Sequence, residues 1–269
     1  VYAQDPAEPA KTEVIQQSVT GLTFTDKFFP YDGSERELLV EGTIPEGTVV
    51  TYQNNKAKDA GTYAATAQIT KDGKTETLSA TMQITQKTIT ITGMTAEDKH
   101  YDGKNSATLT GGTAEGMIEG DDVTVTMPTT GIFAQEEIGA DISVTPDEFV
   151  LSGKDRSNYS VAKPEDLKAT IRPADITVTA KSPVKGKGDQ DPDLKWDLTD
   201  GQLYGADALS GALSRAPGEE AGEYEILQGS LAAPANYQLT YVPGKLTIVD
   251  KAPQSLNFYA IPEKTYGDA

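Results

Sequence analysis

The sequence predicts an all-β protein built from small antiparallel β-sandwiches in tandem. Three observations lead to this prediction: short motifs recur at intervals typical of a small domain, apolar and polar residues alternate in short segments, and Gly, Pro, Asn and Asp cluster between those segments. A chain of 269 residues is long enough for about two to four such domains.

A Tyr-Asp-Gly motif marks the repeats. Its copies begin at Tyr31 and Tyr101, at Lys187 in the altered form Lys-Gly-Asp, and at Tyr266 in the form Tyr-Gly-Asp, so they are 70, 86 and 79 residues apart. Two further markers follow in order: AGTY (60–63), IGAD (138–141) and AGEY (221–224), then Asn-Tyr at 158–159 and 236–237. Because the markers follow one another in the same order, they indicate repeated domains.

Strands close and open each repeat. The closing segments read LSATMQIT, LKATIRPA and GKLTIV, and the next repeat opens almost at once with KTITITG from Lys87, ADITVTA from Ala174 and SLNFYAI from Ser255. Ile89 and Ile91 lie on one face of the first of these strands, which is the period-two pattern of a strand with one buried face.

These signals predict an N-terminal linker at 1–17, domains at 18–86, 87–173 and 174–250, and the start of a fourth repeat at 251–269. Because the junctions are short and contain Pro, we expect a monomeric beaded rod. The chain ends inside a motif, so we expect it to be part of a longer array. Only the segment 205–215 could be helical, and a helix there would favour β-grasp units instead.

The composition excludes several classes of protein. The net charge of −18 argues against nucleic acid or an anionic membrane as partner, and no segment is apolar enough to insert into a membrane. There is no Cys and one His, so disulfides and multi-His metal sites are excluded. The residues Val1-Tyr2-Ala3 resemble a signal-peptidase site, and we expect cleavage after Ala3 and export.

No group of residues forms a coherent catalytic, cofactor-binding or metal site in the sequence. We interpret Tyr-Asp-Gly as a turn that begins a domain, because Asp bonds to the following backbone and Gly accepts positive φ, with the Tyr ring packed on the end of the sandwich. We interpret His100, beside Tyr101, as a surface turn residue. The motif residues therefore have structural explanations and not catalytic ones. We expect the chain not to be an enzyme.

Other candidates have plain structural explanations. The acidic stretch 188–193 and the pair 121–122 could hold Ca²⁺, but they lack the spacing of a calcium loop and suit turns. Trp196 could stack on a sugar or fill a core. Asn158 begins a glycosylation sequon, although Asn-Tyr recurs at Asn236 without the Ser. A Lys–Asn crosslink would suit a chain without Cys, but no trio of residues stands out.

The repeats resemble the MBG and YDG domains of large bacterial surface and secreted adhesin-like proteins. The unit from Ala174 reads GDQDP, GADALSGALSR, AGEYEI, ANYQLTY and GKLTIV, in the order of an MBG unit. The unit from Lys87 reads YDGKNSATLTG, GDDVTV, IGADISV, LSGKDRSNYS and ATI, in the order of a YDG unit, and residues 18–86 resemble a shorter MBG-like relative. Lys187 departs from the pattern, which has Tyr there.

This resemblance implies immunoglobulin-like, non-catalytic spacer repeats at a bacterial cell surface or in the extracellular space, with no cofactor. The alternative function is a binding module for a host glycoprotein or an extracellular polysaccharide. The resemblance names no ligand.

Overall fold

The computed structural model describes the backbone of residues 15–17 and the whole of residues 21–251. The predicted cleavage after Ala3, the opening strand from Ser255 and the motif copy at Tyr266 lie outside the described residues. The regular secondary structure of the described residues is β-strand throughout, apart from one 3-10 turn, η1 (Arg156–Asn158). The all-β fold class is therefore confirmed. The segment 205–215 forms turns and a two-residue strand, so the helix that β-grasp units would need is not there.

The chain divides into two compact units. The first comprises Val1–Glu97, Asn105–Gln135 and Asp141–Ala169, and the second comprises Asp98–Lys104, Glu136–Ala140 and Thr170–Ala269. We call residues 18–86, 87–173 and 174–250 the first, second and third repeats; these bounds remain predictions from the sequence. The first unit contains the whole first repeat and most of the second, whereas the second unit contains the third repeat and three short segments of the second.

The first repeat centres on one four-stranded sheet in the order β3-β8-β7-β5, flanked by the pairs β1-β2 and β4-β6. Its long hairpin alternates: Ala65, Ala67 and Ile69 are buried on one face of β7. β1 (Ile15–Gln17) precedes the repeat. The strands of the repeat are β2 (Thr23–Thr25), β3 (Lys27–Pro30), β4 (Arg36–Glu37), β5 (Val49–Gln53), β6 (Lys56–Ala57), β7 (Gly61–Lys71) and β8 (Lys74–Thr85).

The second repeat has a sheet in the order β10-β17-β14-β13-β11-β9-β16 and a separate pair β12-β15. Its two longest strands approach each other closely at glycines with positive φ: a Cβ on Gly111, which has φ 73°, would lie 2.5 Å from the carbonyl oxygen of Gly93. The strands are β9 (Lys87–Ala96), β10 (Lys99–His100), β11 (Ser106–Glu115), β12 (Thr124–Thr126), β13 (Thr130–Phe133), β14 (Gly139–Pro146), β15 (Val150–Ser152), β16 (Tyr159–Ala162) and β17 (Lys168–Arg172).

The third repeat has a three-stranded sheet, β20-β18-β23, and a four-stranded sheet, β19-β24-β22-β21. Its core joins the two sheets through Ala180 of β18, Ile226 of β22, and Leu246 and Ile248 of β24. The strands are β18 (Ala174–Ala180), β19 (Val184–Gly186), β20 (Trp196–Asp200), β21 (Ser214–Arg215), β22 (Gly222–Leu227), β23 (Tyr237–Val242) and β24 (Lys245–Val249).

The sheets are mixed, although the sequence predicted antiparallel ones. In every repeat a short strand near the beginning pairs in parallel with the last strand: β3 with β8, β10 with β17, and β19 with β24. A period-two pattern shows which face of a strand is buried but not the direction of its neighbour, so this feature could not be predicted from alternation.

Replacing Ile89 with Ala tests the predicted buried face of β9. Ile89 is fully buried, and removing most of its side chain should lower the free energy of unfolding of the second repeat by about 2–5 kcal/mol. Urea denaturation followed by circular dichroism measures the change. The exposed neighbour gives the control: Thr90→Ala should change stability by less than about 0.5 kcal/mol, and equal losses would contradict this assignment of faces.

Candidate functional site

The tyrosine of the first Tyr-Asp-Gly motif lies between two repeats. Tyr31 directly follows β3, and its backbone N–H donates to the carbonyl of Thr85, the last residue of β8, at 2.9 Å. Its ring is almost fully buried and meets the ring of Tyr159 of the second repeat edge-on, with centroids 5.6 Å apart. Such aromatic pairs contribute about 0.5–1.5 kcal/mol beyond the area they bury.

One carboxylate joins these two tyrosines. Asp121 of the second repeat accepts hydrogen bonds at the same oxygen, Oδ2, from the hydroxyl of Tyr31 at 2.8 Å and from that of Tyr159 at 2.5 Å. The hydroxyl of Tyr159 in turn accepts from the backbone N–H of Ile118 at 3.0 Å. The three side chains form what we call the first tyrosine clamp.

The electrostatics of the clamp follow from this arrangement. Burial raises the pKa of Tyr159 to about 12, and the hydrogen bond to Asp121 adds to the effect; the pKa of Tyr31 is raised for the same two reasons. Burial alone would raise the pKa of Asp121, but the two hydroxyl hydrogen bonds, together with the charges of Lys58 and Lys154, hold that pKa below its usual range. At neutral pH the clamp therefore consists of two neutral hydroxyls on one ionised carboxylate.

An asparagine makes a second contact at the same junction. Asn158 is buried, and its Oδ1 accepts from the backbone N–H of Ala60 at 2.7 Å while its Nδ2 donates to Oδ1 of Asp59 at 3.0 Å. Ala60 begins the AGTY marker of the first repeat. The Asn-Tyr marker of one repeat thus binds two separate markers of the preceding repeat, with Asn158 on AGTY and Tyr159 on Tyr31.

The second unit contains the same arrangement. Asp207 of the third repeat accepts at Oδ2 from the hydroxyl of Tyr101 at 3.0 Å and from that of Tyr237 at 2.8 Å. The rings of Tyr101 and Tyr237 meet edge-on at 5.5 Å, and the hydroxyl of Tyr237 accepts from the backbone N–H of Tyr204 at 2.7 Å. We call Tyr101, Asp207 and Tyr237 the second tyrosine clamp.

The asparagine contact also recurs. Oδ1 of Asn236 accepts from the backbone N–H of Ile138 at 3.3 Å, and Nδ2 donates to Glu137. The residues in each of these contacts are 98 and 99 positions apart, the same separations as at the first junction. Burial raises the pKa of Tyr237 to about 12, as it does for Tyr159. Two junctions of different sequence therefore share one set of contacts.

The Asp-Gly part of the motif forms the predicted turn. Oδ1 of Asp32 accepts from the backbone N–H of Ser34, Oδ1 of Asp102 accepts from that of Lys104, and both bonds are 3.0 Å long. Gly33 has φ 78°, which favours glycine. The turn presents the tyrosine that precedes it to the neighbouring repeat.

Lys187 occupies the position of the tyrosine in the third repeat. Its backbone N–H donates to the carbonyl of Val249, the last residue of β24, at 2.8 Å, as Tyr31 donates to Thr85. Its ammonium pairs with Glu220, which precedes the AGEY marker. The tyrosine that ends that marker, Tyr224, donates its hydroxyl to the carbonyl of Glu220 at 2.9 Å. The altered motif therefore keeps its backbone register and exchanges a neutral aromatic ring for a charged side chain.

The acidic stretch 188–193 lies among cations. Asp189 pairs with Lys251 at 2.6 Å, and Asp191 pairs with Lys185 at 2.5 Å and with Arg215 at 2.6 Å. The guanidinium of Arg215, helped by Lys185, lowers the pKa of Asp191 to about 2. Across the described residues, no group of three or more His, Cys, Asp or Glu side chains is placed to hold a metal ion.

Lys185 is a buried lysine, with 4% of its side chain exposed, so it is the natural candidate for a crosslink. Its hydrogen-bond partners are Asp191, Glu219 and the carbonyl of Asp189. Hydrogen bonds to Asp191 and Glu219 raise its pKa, so its nitrogen stays protonated. An ammonium facing ionised carboxylates forms ion pairs and lacks the free electron pair that amide formation requires.

The remaining candidates are separate from one another. His100 is exposed, and its Nδ1 donates to the carbonyl of Pro173 at 2.7 Å. Trp196 begins β20 and is half-buried. The structure therefore gathers tyrosines, asparagines and acidic residues at the junctions. His100 is next to Tyr101 in the chain but bonds to Pro173 and not to the clamp, and Trp196 lies in β20.

Replacing Asp121 with Ala tests the first clamp. The variant leaves two largely buried hydroxyls without their acceptor, so we expect the first unit to lose at least about 1–3 kcal/mol of unfolding free energy in urea titrations. Glu119→Ala removes the same charge from an exposed position two residues away and should change stability by less than about 0.5 kcal/mol. Similar losses in the two variants would show that charge, and not the clamp, is responsible.

The raised tyrosine pKa values predict loss of stability in alkali. A folded-state pKa of about 12 against the ordinary 10.0 for Tyr159 means that the folded chain holds this proton more tightly than the unfolded chain. This contribution is fully present below pH 10 and is lost as the pH rises through about 12. Unfolding midpoints measured across that range should fall less steeply for Tyr159→Phe, which cannot ionise; parallel slopes would contradict the assignment.

Comparison with known proteins agrees with this architecture. The family model of the YDG domain matches residues 85–166, and that of the MBG domain (YGX type) matches residues 176–247. No curated protein matches the chain.

Several solved structures are similar to the chain. The titin I-band fragment I67-I69 is 11% identical over 89% of this chain and 99% of its own, with a TM-score of 0.26. Drosophila N-cadherin EC1-3 is 10% identical over 84% of this chain and 98% of its own, with a TM-score of 0.28. The Bacteroides ovatus protein SGBP-B, solved with a mixed-linkage heptasaccharide, is 14% identical over 96% of this chain and 76% of its own, with a TM-score of 0.16.

These scores are too low to carry an argument about function. The two family matches account for the second and third repeats, including both residues of each Asn-Tyr marker and the aspartate of each tyrosine clamp. The chain is thus a tandem repeat protein that contains a YDG domain followed by an MBG domain of the YGX type.

Proposed function

We propose that this chain is a non-catalytic spacer in a bacterial cell-surface or secreted adhesin-like protein, where its repeats hold a further domain away from the anchoring point. The observation that supports the proposal is the recurrence of the same junction. Two pairs of neighbouring repeats are joined by a tyrosine clamp and by an asparagine contact, although the surrounding sequences differ. Residues that recur in a sequence while their surroundings change are those that the array needs.

The chemistry of the clamp suits a stable contact between domains better than catalysis. Its hydroxyls have raised pKa values and stay neutral, so they are poor nucleophiles, and its carboxylate is already occupied by two donors. Each of these properties would hinder catalysis, whereas each favours a stable contact between domains. No helix in residues 21–251 is long and apolar enough to cross a membrane.

Glycan binding, the alternative function, has weaker support. Trp196 is half-buried at the start of β20, and a sugar-binding platform would need its ring face exposed beside hydrogen-bonding side chains. The clamps, in contrast, explain residues in all three repeats. The spacer function therefore accounts for more of the sequence.

Spin labels on the first two repeats test the proposal directly. Thr51→Cys and Thr108→Cys place labels at exposed positions of β5 and β11, both within the first unit, and the chain has no other Cys. We expect pulsed electron resonance to give a narrow distance distribution, because the clamp fixes the junction. Adding Tyr31→Ala should broaden it, and adding Glu119→Ala should leave it unchanged.

An equally broad distribution in all three proteins would overturn the proposed role of the junction. Small-angle scattering of the chain offers an independent check, since a spacer must be extended in solution. A scattering profile that fits a compact globule would contradict the spacer function even if the clamp is rigid.

A further inference from the structure

The parallel pairs found in every repeat have a mechanical consequence. β3 pairs with β8 from Lys27 opposite Met82 to Pro30 opposite Thr85. The corresponding pairs, β10 with β17 and β19 with β24, keep the same direction in the second and third repeats. In each case a strand near the beginning of the repeat lies beside the strand that ends it.

Strand direction decides how hydrogen bonds respond to tension. When the two ends of a repeat are pulled apart, parallel neighbours near those ends slide along each other, and their evenly spaced bonds are loaded together. When a strand is pulled away sideways from one end, its bonds are loaded and broken one after another. Resistance to force is governed by the barrier to unfolding and not by the equilibrium stability. Loading several bonds at once raises that barrier.

The first residue of each motif extends these pairs. The backbone N–H of Tyr31 donates to Thr85, that of Tyr101 donates to Arg172, and that of Lys187 donates to Val249, each the last residue of its closing strand. In the first two cases the same tyrosine side chain is held by an aspartate of the next repeat. The clamp therefore secures the end of the strand that would have to slide.

We propose that each repeat is built to bear tension applied between its two ends. The inference rests on the spacer function, because tension reaches the repeats only if the chain connects two attached bodies. It adds a property that a spacer does not require, which is high resistance along one direction of pulling and lower resistance along others.

Single-molecule force spectroscopy of the full chain tests this with two pulling directions. Because the chain lacks Cys, introduced pairs define the points of attachment uniquely. Lys27→Cys with Thr85→Cys loads β3 against β8 along their length. Val49→Cys with Lys71→Cys pulls the edge strand β5 away from β7 at one end, since Val49 pairs with Thr70.

We expect the first pair to give an unfolding force severalfold higher than the second pair at the same pulling speed. Urea unfolding of the two variants should coincide, so that the difference in force reflects direction and not stability. Equal forces, or a lower force for the first pair, would overturn the proposal. If the spin labels give a narrow distance distribution but the two pulling directions give equal forces, the spacer function stands and only the tension-bearing property is rejected.

Discussion

A single carboxylate oxygen that accepts two tyrosine hydroxyls connects neighbouring repeats in this chain. Asp121 and Asp207 each bring together one tyrosine of their own repeat and one of the preceding repeat. The oxygen can accept both bonds only if the two rings approach it from different sides, and the edge-on ring geometry satisfies this condition. Three features place the tyrosines at that oxygen: the Tyr-Asp-Gly turn, the parallel strand before it and the Asn-Tyr marker of the following repeat.

The repeat pattern and the strand faces could be predicted from the sequence because both are local. The alternation along KTITITG predicts that Ile89 and Ile91 share a buried face, and both are buried. The Asp-Gly pair predicts a turn at residues 32–33, and the turn is there. The role of Tyr31 was predicted only in part. Packing on the end of the sandwich is right, but the prediction did not include its partners, because Asp121 and Tyr159 lie 90 and 128 positions away.

A signal for the junction was nevertheless present. An acidic residue precedes each second marker, at Asp59, Glu137 and Glu220, and the first two accept a hydrogen bond from the asparagine of the next repeat. Distances between markers of successive repeats, compared pairwise, would have shown the shared separations of 98 and 99.

Between the last residue of β8 and the first of β9 stands one residue, Gln86. A connection this short keeps the facing surfaces of two repeats at a high effective concentration, so their contact does not need the area of an interface between free partners. A clamp of three side chains and one asparagine then has only to select one orientation among the few that the connection permits. Lengthening the connection by a few glycines should therefore weaken the contact, because it lowers that effective concentration.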